Sequence, residues 1–163
     1  MAQQARSSGV ETFESAPLDN TDRLVISELQ EDARVSIAEL GRRIGLSAPA
    51  AAERMQRLER RGVITGYHAE VDPRALGFAL TALVRIKPIP RQLHKIPELA
   101  RETPEIVECH RITGEDCFFL RVHLRSIEEL EHVLDRFVIF GQTTTSIIQS
   151  SPVPRRGLVA TSE

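Results

Sequence analysis

The chain has 163 residues, 41% hydrophobic and 27% charged, enough for one medium domain or two small ones and unlike a wholly disordered or fibrous chain. Its apolar-leaning runs are short (Phe78 to Val84 is seven residues) against the roughly 18 of a membrane helix, and two cysteines, Cys109 and Cys117, are too few for a disulfide scaffold. The formal net charge of −2 conceals a basic segment, where Arg34, Arg42, Arg43, Arg54, Arg57, Arg60 and Arg61 stand against only Glu39, Glu53 and Glu59.

Residues 1–16 read as a polar, disordered tail, not a signal peptide. Asp19, with Asp22 three residues on, is an N-cap for a first helix that carries Leu24, Val25, Ile26 and Leu29 inward and closes at Gln30 to Asp32. A second helix opens at Ser36 with Glu39 as the partner of an S-x-x-E capping box, presents Ile37, Leu40 and Ile44 as one stripe, and stops at Gly45. Ser47 caps a third helix with Pro49 in its first turn. There Ala51, Met55 and Leu58 form the apolar stripe, and Arg54, Arg57 and Arg61 line a neighbouring face. Pro49, Glu53, Gln56 and Arg60 lie opposite that stripe, and Gly62 ends the helix. Two helices joined by a tight Gly-Leu-Ser turn behind a supporting helix make a helix-turn-helix, winged-helix-like domain over residues 17–66.

Val63 to Val71 reads as extended chain, and Asp72-Pro73 with Gly77 breaks regularity, so residues 67–77 form a linker strand or hinge. The period then changes. Leu80, Ala82, Val84 and Ile86 alternate with their neighbours in a strand ended by Pro88 and Pro90. Arg91 to Glu102 is predicted as a helix, Ile106 to Thr113 and Cys117 to Leu124 as a hairpin around Gly114-Glu115-Asp116. A helix capped by Ser126 points Ile127, Leu130, Val133, Leu134 and Phe137 inward and closes at Gly141, and Gln142 to Ser151 is a last strand. The order is β-α-β-β-α-β over residues 78–156, a ferredoxin-like arrangement, so the fold class is α+β. One sheet face is left for a second copy to cover, and residues 157–163 are tail.

Strand alternation sends Cys109 and His110 to opposite faces, so these residues and the nearby Cys117 and His123 read as structural rather than as metal ligands; His68, His94 and His132 read as surface residues. No phosphate-cradling glycine loop, zinc-protease motif or nucleophile elbow is present, and neither a metal nor a cofactor is expected.

The strings LDNTDRLVISELQEDARVSIAEL (18–40), GLSAPAAAERMQRLERRGVITGY (45–67), ECHRITGEDCFFLRV (108–122) and GQTTTSIIQSSPV (141–153) together resemble the Lrp/AsnC family, the feast/famine regulators of bacteria and archaea. Where many members carry Gly-x-aromatic-Asp in the hairpin turn, this chain has Gly114-Glu115-Asp116-Cys117. The resemblance implies a cytoplasmic, sequence-specific regulator binding double-stranded DNA, with no membrane role. It further implies a homodimer assembling to an octamer and gated by a small effector, an amino acid. The third helix would then enter the major groove, with Ser47, Pro49, Ala50, Glu53, Arg54 and Arg57 facing DNA and Arg34, Arg42 and Arg43 meeting phosphates. The plainer alternative is a solvated face whose arginines pair with Glu39, Glu53 or Glu59, and Arg54 stays open between a phosphate contact and an internal ion pair. The effector would lie near the hairpin turn and the last strand. Thr113, Gly114, Thr144, Thr145 and Ser146 would donate to its carboxylate, and Glu115 and Asp116 would accept from its ammonium. The alternative from another class is an enzyme, a tetrapyrrole (siroheme-type) decarboxylase-like protein on the same fold. The arginine-rich third helix argues for the regulator.

Overall fold

A computed structural model describes residues 17–158; the tail readings for 1–16 and for 159–163 lie outside the described residues. The chain divides into two compact units, one running to His68 and taking in the chain from Arg155, the other spanning Ala69–Pro154.

The first unit holds three helices, α1 (Asn20–Glu31), α2 (Ile37–Ile44) and α3 (Ala48–Arg60). Each begins where a short polar side chain satisfies the amides that a helix start leaves open. At α1 the box is reciprocal: the Asp22 N–H donates to Asp19 at 2.7 Å and the Asp19 N–H donates back to the Asp22 carboxylate at 3.3 Å. Ser36 accepts from the Glu39 amide at 3.2 Å, but Glu39 does not complete the expected box, because its carboxylate turns to Arg42 and Arg43. Ser47 accepts from the Ala50 amide. Val25, Leu40, Ala51 and Leu58 are fully buried between the helices, with Ile26, Leu29, Ile37, Ile44, Val63 and Ile64 packed around them. Leu24 is exposed rather than inward. At 100° per residue, Leu24, Val25 and Ile26 cannot all share one face.

The turn between α2 and α3 depends on two glycines. Gly45 is left-handed at φ 73°, which lets the chain reverse without a Cβ clash. Gly41 is buried inside α2, and a Cβ there would stand 2.7 Å from the Leu46 carbonyl oxygen and 3.3 Å from the Ser47 backbone. The Leu46 amide in turn donates to the Gly41 carbonyl at 2.8 Å.

After Gly62 the expected extended segment through Val71 finds no ladder partner among the described residues, and no strand follows α3 in this unit. In place of a linker strand the next regular element is a 3₁₀ turn at Pro73–Leu76, capped by Asp72 and closed by Gly77.

The second unit is a four-stranded antiparallel sheet of order β2-β3-β1-β4. Its elements are β1 (Leu80–Pro88), α4 (Lys95–Arg101), β2 (Ile106–Arg111), β3 (Phe118–Leu124), α5 (Ile127–Val138) and β4 (Gly141–Ile147). Ala82, Val84 and Ile86 of β1 and Phe118, Leu120, Val122 and Leu124 of β3 point to one face, where Ile96 and Ala100 of α4 and Leu130, Val133 and Phe137 of α5 complete the core. Ile127, at the first position of α5, is exposed. The helix α4 starts four residues later than predicted. Pro97 explains this: in a helix from Arg91 it would fall mid-helix and remove a bond to Leu93, whereas from Lys95 it sits in the first turn. β4 stops at Ile147 and not Ser151: its last ladder pair is with Ala82, and beyond it only the Ile148 amide still bonds β1, at the Thr81 carbonyl.

Gly41→Ala should lower the stability of the helical unit by about 1–3 kcal/mol, since the added methyl must push the turn off α2. Urea unfolding followed by helical circular dichroism measures this, and an unshifted midpoint would contradict the close approach.

Candidate nucleic-acid interface and effector surface

The arginines of α3 follow from its helical period. Arg54, Arg57 and Arg61 recur at three and four residues, so they form one row, and that row turns toward α1. There they meet Asp22, which is 1% exposed. Arg57 Nη2 donates to both Asp22 oxygens at 2.7 and 2.9 Å, and Arg54 Nη1 to Asp22 at 3.1 Å and also to Asp19. Arg61 stands 3.7 Å from the same carboxylate. Of the two readings open for Arg54, the structure holds the internal ion pair, and the partners are Asp22 of α1 and its N-cap Asp19 rather than Glu53 or Glu59. A charge this buried is tolerated because it is surrounded by donors; removing them would leave it uncompensated.

The arginines of α2 behave differently. Arg42 chelates Glu39 through Nε and Nη2 at 2.8 and 2.6 Å, and Arg43 bridges Glu39 at 2.8 Å and Glu28 at 3.0 Å. The Arg42 side chain is 74% exposed, so a phosphate could replace its carboxylate partner at little cost. Arg34 is exposed, and among the described residues only its backbone amide is engaged, with Asp32. Ser47 spends its hydroxyl on the cap of α3; Pro49 and Glu53 are exposed and Ala50 is half-buried. Gln56 and Arg60, left out of the sequence-derived set, are exposed on the same stripe as Pro49 and Glu53. Their position opposite Ala51 and Leu58 was the signal that could have found them.

The effector residues are spread over the sheet unit. Thr113 to Asp116 occupy the turn between β2 and β3, while Thr144, Thr145 and Ser146 lie on β4. The Cys117 amide bonds the Ile86 carbonyl, and Ile86 pairs in turn with Thr143, so β1 lies between the turn and β4. Two strand spacings, roughly 10 Å, separate them. The register pairs Thr144 with Arg85 and Ser146 with Leu83 on the open face, but Thr145 with Val84 on the helix-covered face. The three β4 hydroxyls therefore do not converge. Asp116 is held by Arg85 at 3.3 Å, while Glu115 is exposed and has no partner among the described residues. The same alternation sets Cys109 opposite Leu120 and His110 opposite Phe119, on opposite faces as the spacing predicted. His123 shares a hydrogen bond with Thr81 at 2.9 Å.

Arg54 and the Asp22 amide hold the Asp19 carboxyl down at about 2, from an ordinary 3.8, and Arg42 with Arg43 holds Glu39 at about 2, from 4.5. Both groups are ionised in the folded chain at pH values where the unfolded chain already binds protons. The helical unit should therefore keep constant stability from neutral pH down to about 5, then lose it progressively between about 4.5 and 2. Denaturation midpoints across that range test this, and Glu39→Gln should flatten part of the slope. Asp22→Asn should cost about 1–3 kcal/mol at pH 7 by weakening bonds to two guanidinium groups; an unchanged midpoint would show that the cluster holds nothing.

Family models match both units: an AsnC-type helix-turn-helix domain over residues 18–59 and the Lrp/AsnC ligand binding domain over residues 81–158. The HTH-type transcriptional regulator LrpA of Mycobacterium tuberculosis is 36% identical over 137 residues, which span 83% of this chain and 89% of that one. The solved structure of Bacillus subtilis LrpC superposes with a TM-score of 0.81 at 33% identity, covering 86% of this chain and all of that one. A feast or famine regulatory protein from M. tuberculosis, solved in complex with L-methionine, matches with a TM-score of 0.82 at 35% identity, covering 88% of this chain and 99% of its own. These relatives are named as regulators, which sets the tetrapyrrole-enzyme alternative aside. With a helix-turn-helix in one unit and the family's ligand-binding sheet in the other, the chain belongs to the Lrp/AsnC family of transcriptional regulators.

Proposed function

We propose that this regulator works in the cytoplasm as a homodimer assembling to an octamer, and that an amino acid bound at the sheet unit changes its operator affinity or its assembly. The observation that carries the reading is the joining, in one chain, of a capped helix-turn-helix with exposed arginines to a sheet with helices on one face only. Half-exposed Leu83 and Phe119 sit among Arg85, Arg121, Thr144 and Ser146 on the other face, a mixed apolar and polar surface suited to a second copy. Two-fold pairing sets DNA half-sites about 34–36 Å apart. Arg34, Arg42 and Arg43 supply phosphate contacts, which give affinity and salt dependence without sequence information.

For the effector, Glu115 is the acceptor for an ammonium, and Thr113 with the Gly114 amide the donors for a carboxylate. The separation of the turn from Thr144 and Ser146 across β1 means that a pocket using both is closed by another protomer's surface. The relative solved with L-methionine supports an amino acid as the ligand class. Binding at such an assembly contact couples ligand to oligomer, a free energy shared between two sites.

The test is binding of the full chain to the duplex upstream of its own gene, titrated with salt and then repeated with each of the twenty amino acids. Affinity should fall by about a thousandfold or more between about 50 and 200 mM salt if six or more phosphates are contacted, and one amino acid should shift binding or sedimentation. Binding that none of the twenty alters would overturn the amino-acid reading alone. Binding no tighter than to random duplex would overturn the operator reading. Glu115→Ala should remove the effector response and leave operator binding intact; a normal response would move the acceptor elsewhere.

A further inference from the structure

The side chains of α3 that have no partner among the described residues are not the arginines facing α1. Glu53, Gln56 and Arg60 are exposed and make no hydrogen bond or ion pair among the described residues. With Pro49 they recur at four, three and four residues, one straight stripe opposite the buried Ala51 and Leu58. Arg54 and Arg57 are committed elsewhere, because a base contact by either competes with the buried carboxylate of Asp22.

We propose that Glu53 and Gln56 are the residues of α3 that read bases, and that Arg60 anchors a phosphate. This rests on the reading of the helical unit as the DNA-binding unit, and adds which bases it selects. The Gln56 carboxamide presents a donor and an acceptor side by side, the match for adenine N6 and N7. The Glu53 carboxylate only accepts, the match for the N4 amino group of cytosine. Their Cα atoms are about 4.5 Å apart along the helix, so they address neighbouring base steps. Arg60 lies in the last turn of α3, where a helix that enters the groove by its N-terminus has left the base edges behind. Each half-site therefore carries an adenine and, one or two steps away, a cytosine.

Selection of bound duplexes from a random pool, using the full-length chain, tests the assignment. The unmodified chain should enrich adenine at one position of each half-site. Gln56→Arg should change that position alone to guanine, with preference between the two bases reversed roughly tenfold or more. Glu53→Gln should weaken the cytosine preference at the neighbouring position. Arg60→Ala should lower affinity uniformly across sequences and reduce the salt slope by about one. None of these side chains has a partner to lose among the described residues, and a circular dichroism spectrum like that of the unmodified chain checks that α3 is intact. If Gln56→Arg enriches the same base as the unmodified chain, the assignment is overturned while the regulator stands. If the unmodified chain enriches no sequence, the operator reading itself fails and this inference with it.

Discussion

A single carboxylate, Asp22, fixes how the helical unit presents itself. It sits at the third position of α1, accepts a hydrogen bond from the N-cap amide, and is withdrawn from water with two guanidinium groups of α3 on its oxygens. A charge in that position is costly unless every lone pair is used, and a pair of this kind contributes more to defining one arrangement than to net stability. Once Arg54 and Arg57 are committed to it, the rotation of α3 about its own axis is set. Ala51 and Leu58 then face the core, and Glu53, Gln56 and Arg60 face out. The most basic-looking part of the sequence is thus partly a structural device, and the outward stripe of α3 is mixed in charge.

In the sheet unit the governing constraint is the two-residue period of the strands. It places a continuous apolar layer from Ala82 to Leu124 under α4 and α5, and leaves Arg85, Phe119, Arg121, Thr144 and Ser146 on the other side. The same period divides the threonine-rich strand, so Thr145 is separated from Thr144 and Ser146 by the thickness of the sheet. The hydroxyls of the Thr-Ser run are therefore divided between the two faces of the sheet.

Much of this was legible in the residues, and for identifiable reasons. Caps, breakers and periodicity are local, so Asp19, Ser36, Ser47, Ser126 and Gly45 marked element ends to within a residue or two, and the βαββαβ order followed from them. Local signals failed where two of them competed. The apolar period favoured a helix from Arg91 and overlooked that Pro97 forces a later start. The S-x-x-E spacing suggested a reciprocal box, yet Glu39 had two arginines within reach and took them. The segment from Val63 to Val71 had strand-like residues but, among the described residues, no strand beside it to complete a ladder.

The sequence by itself determined the two units, their element order and their family, because those depend on patterns written within ten or fifteen consecutive residues and repeated consistently across both halves. Ion pairs within one helix turn, such as Glu39 with Arg42 and Arg43, are within reach of local spacing, but the long-range partners were decided only by tertiary structure. Asp22 and Arg57 are 35 positions apart, and nothing local to either says that they meet. Asp116 and Arg85 are joined in the same way, by a hairpin brought alongside β1. An ion pair is a statement about distance in space, and only the packing of one helix or strand against another supplies that distance.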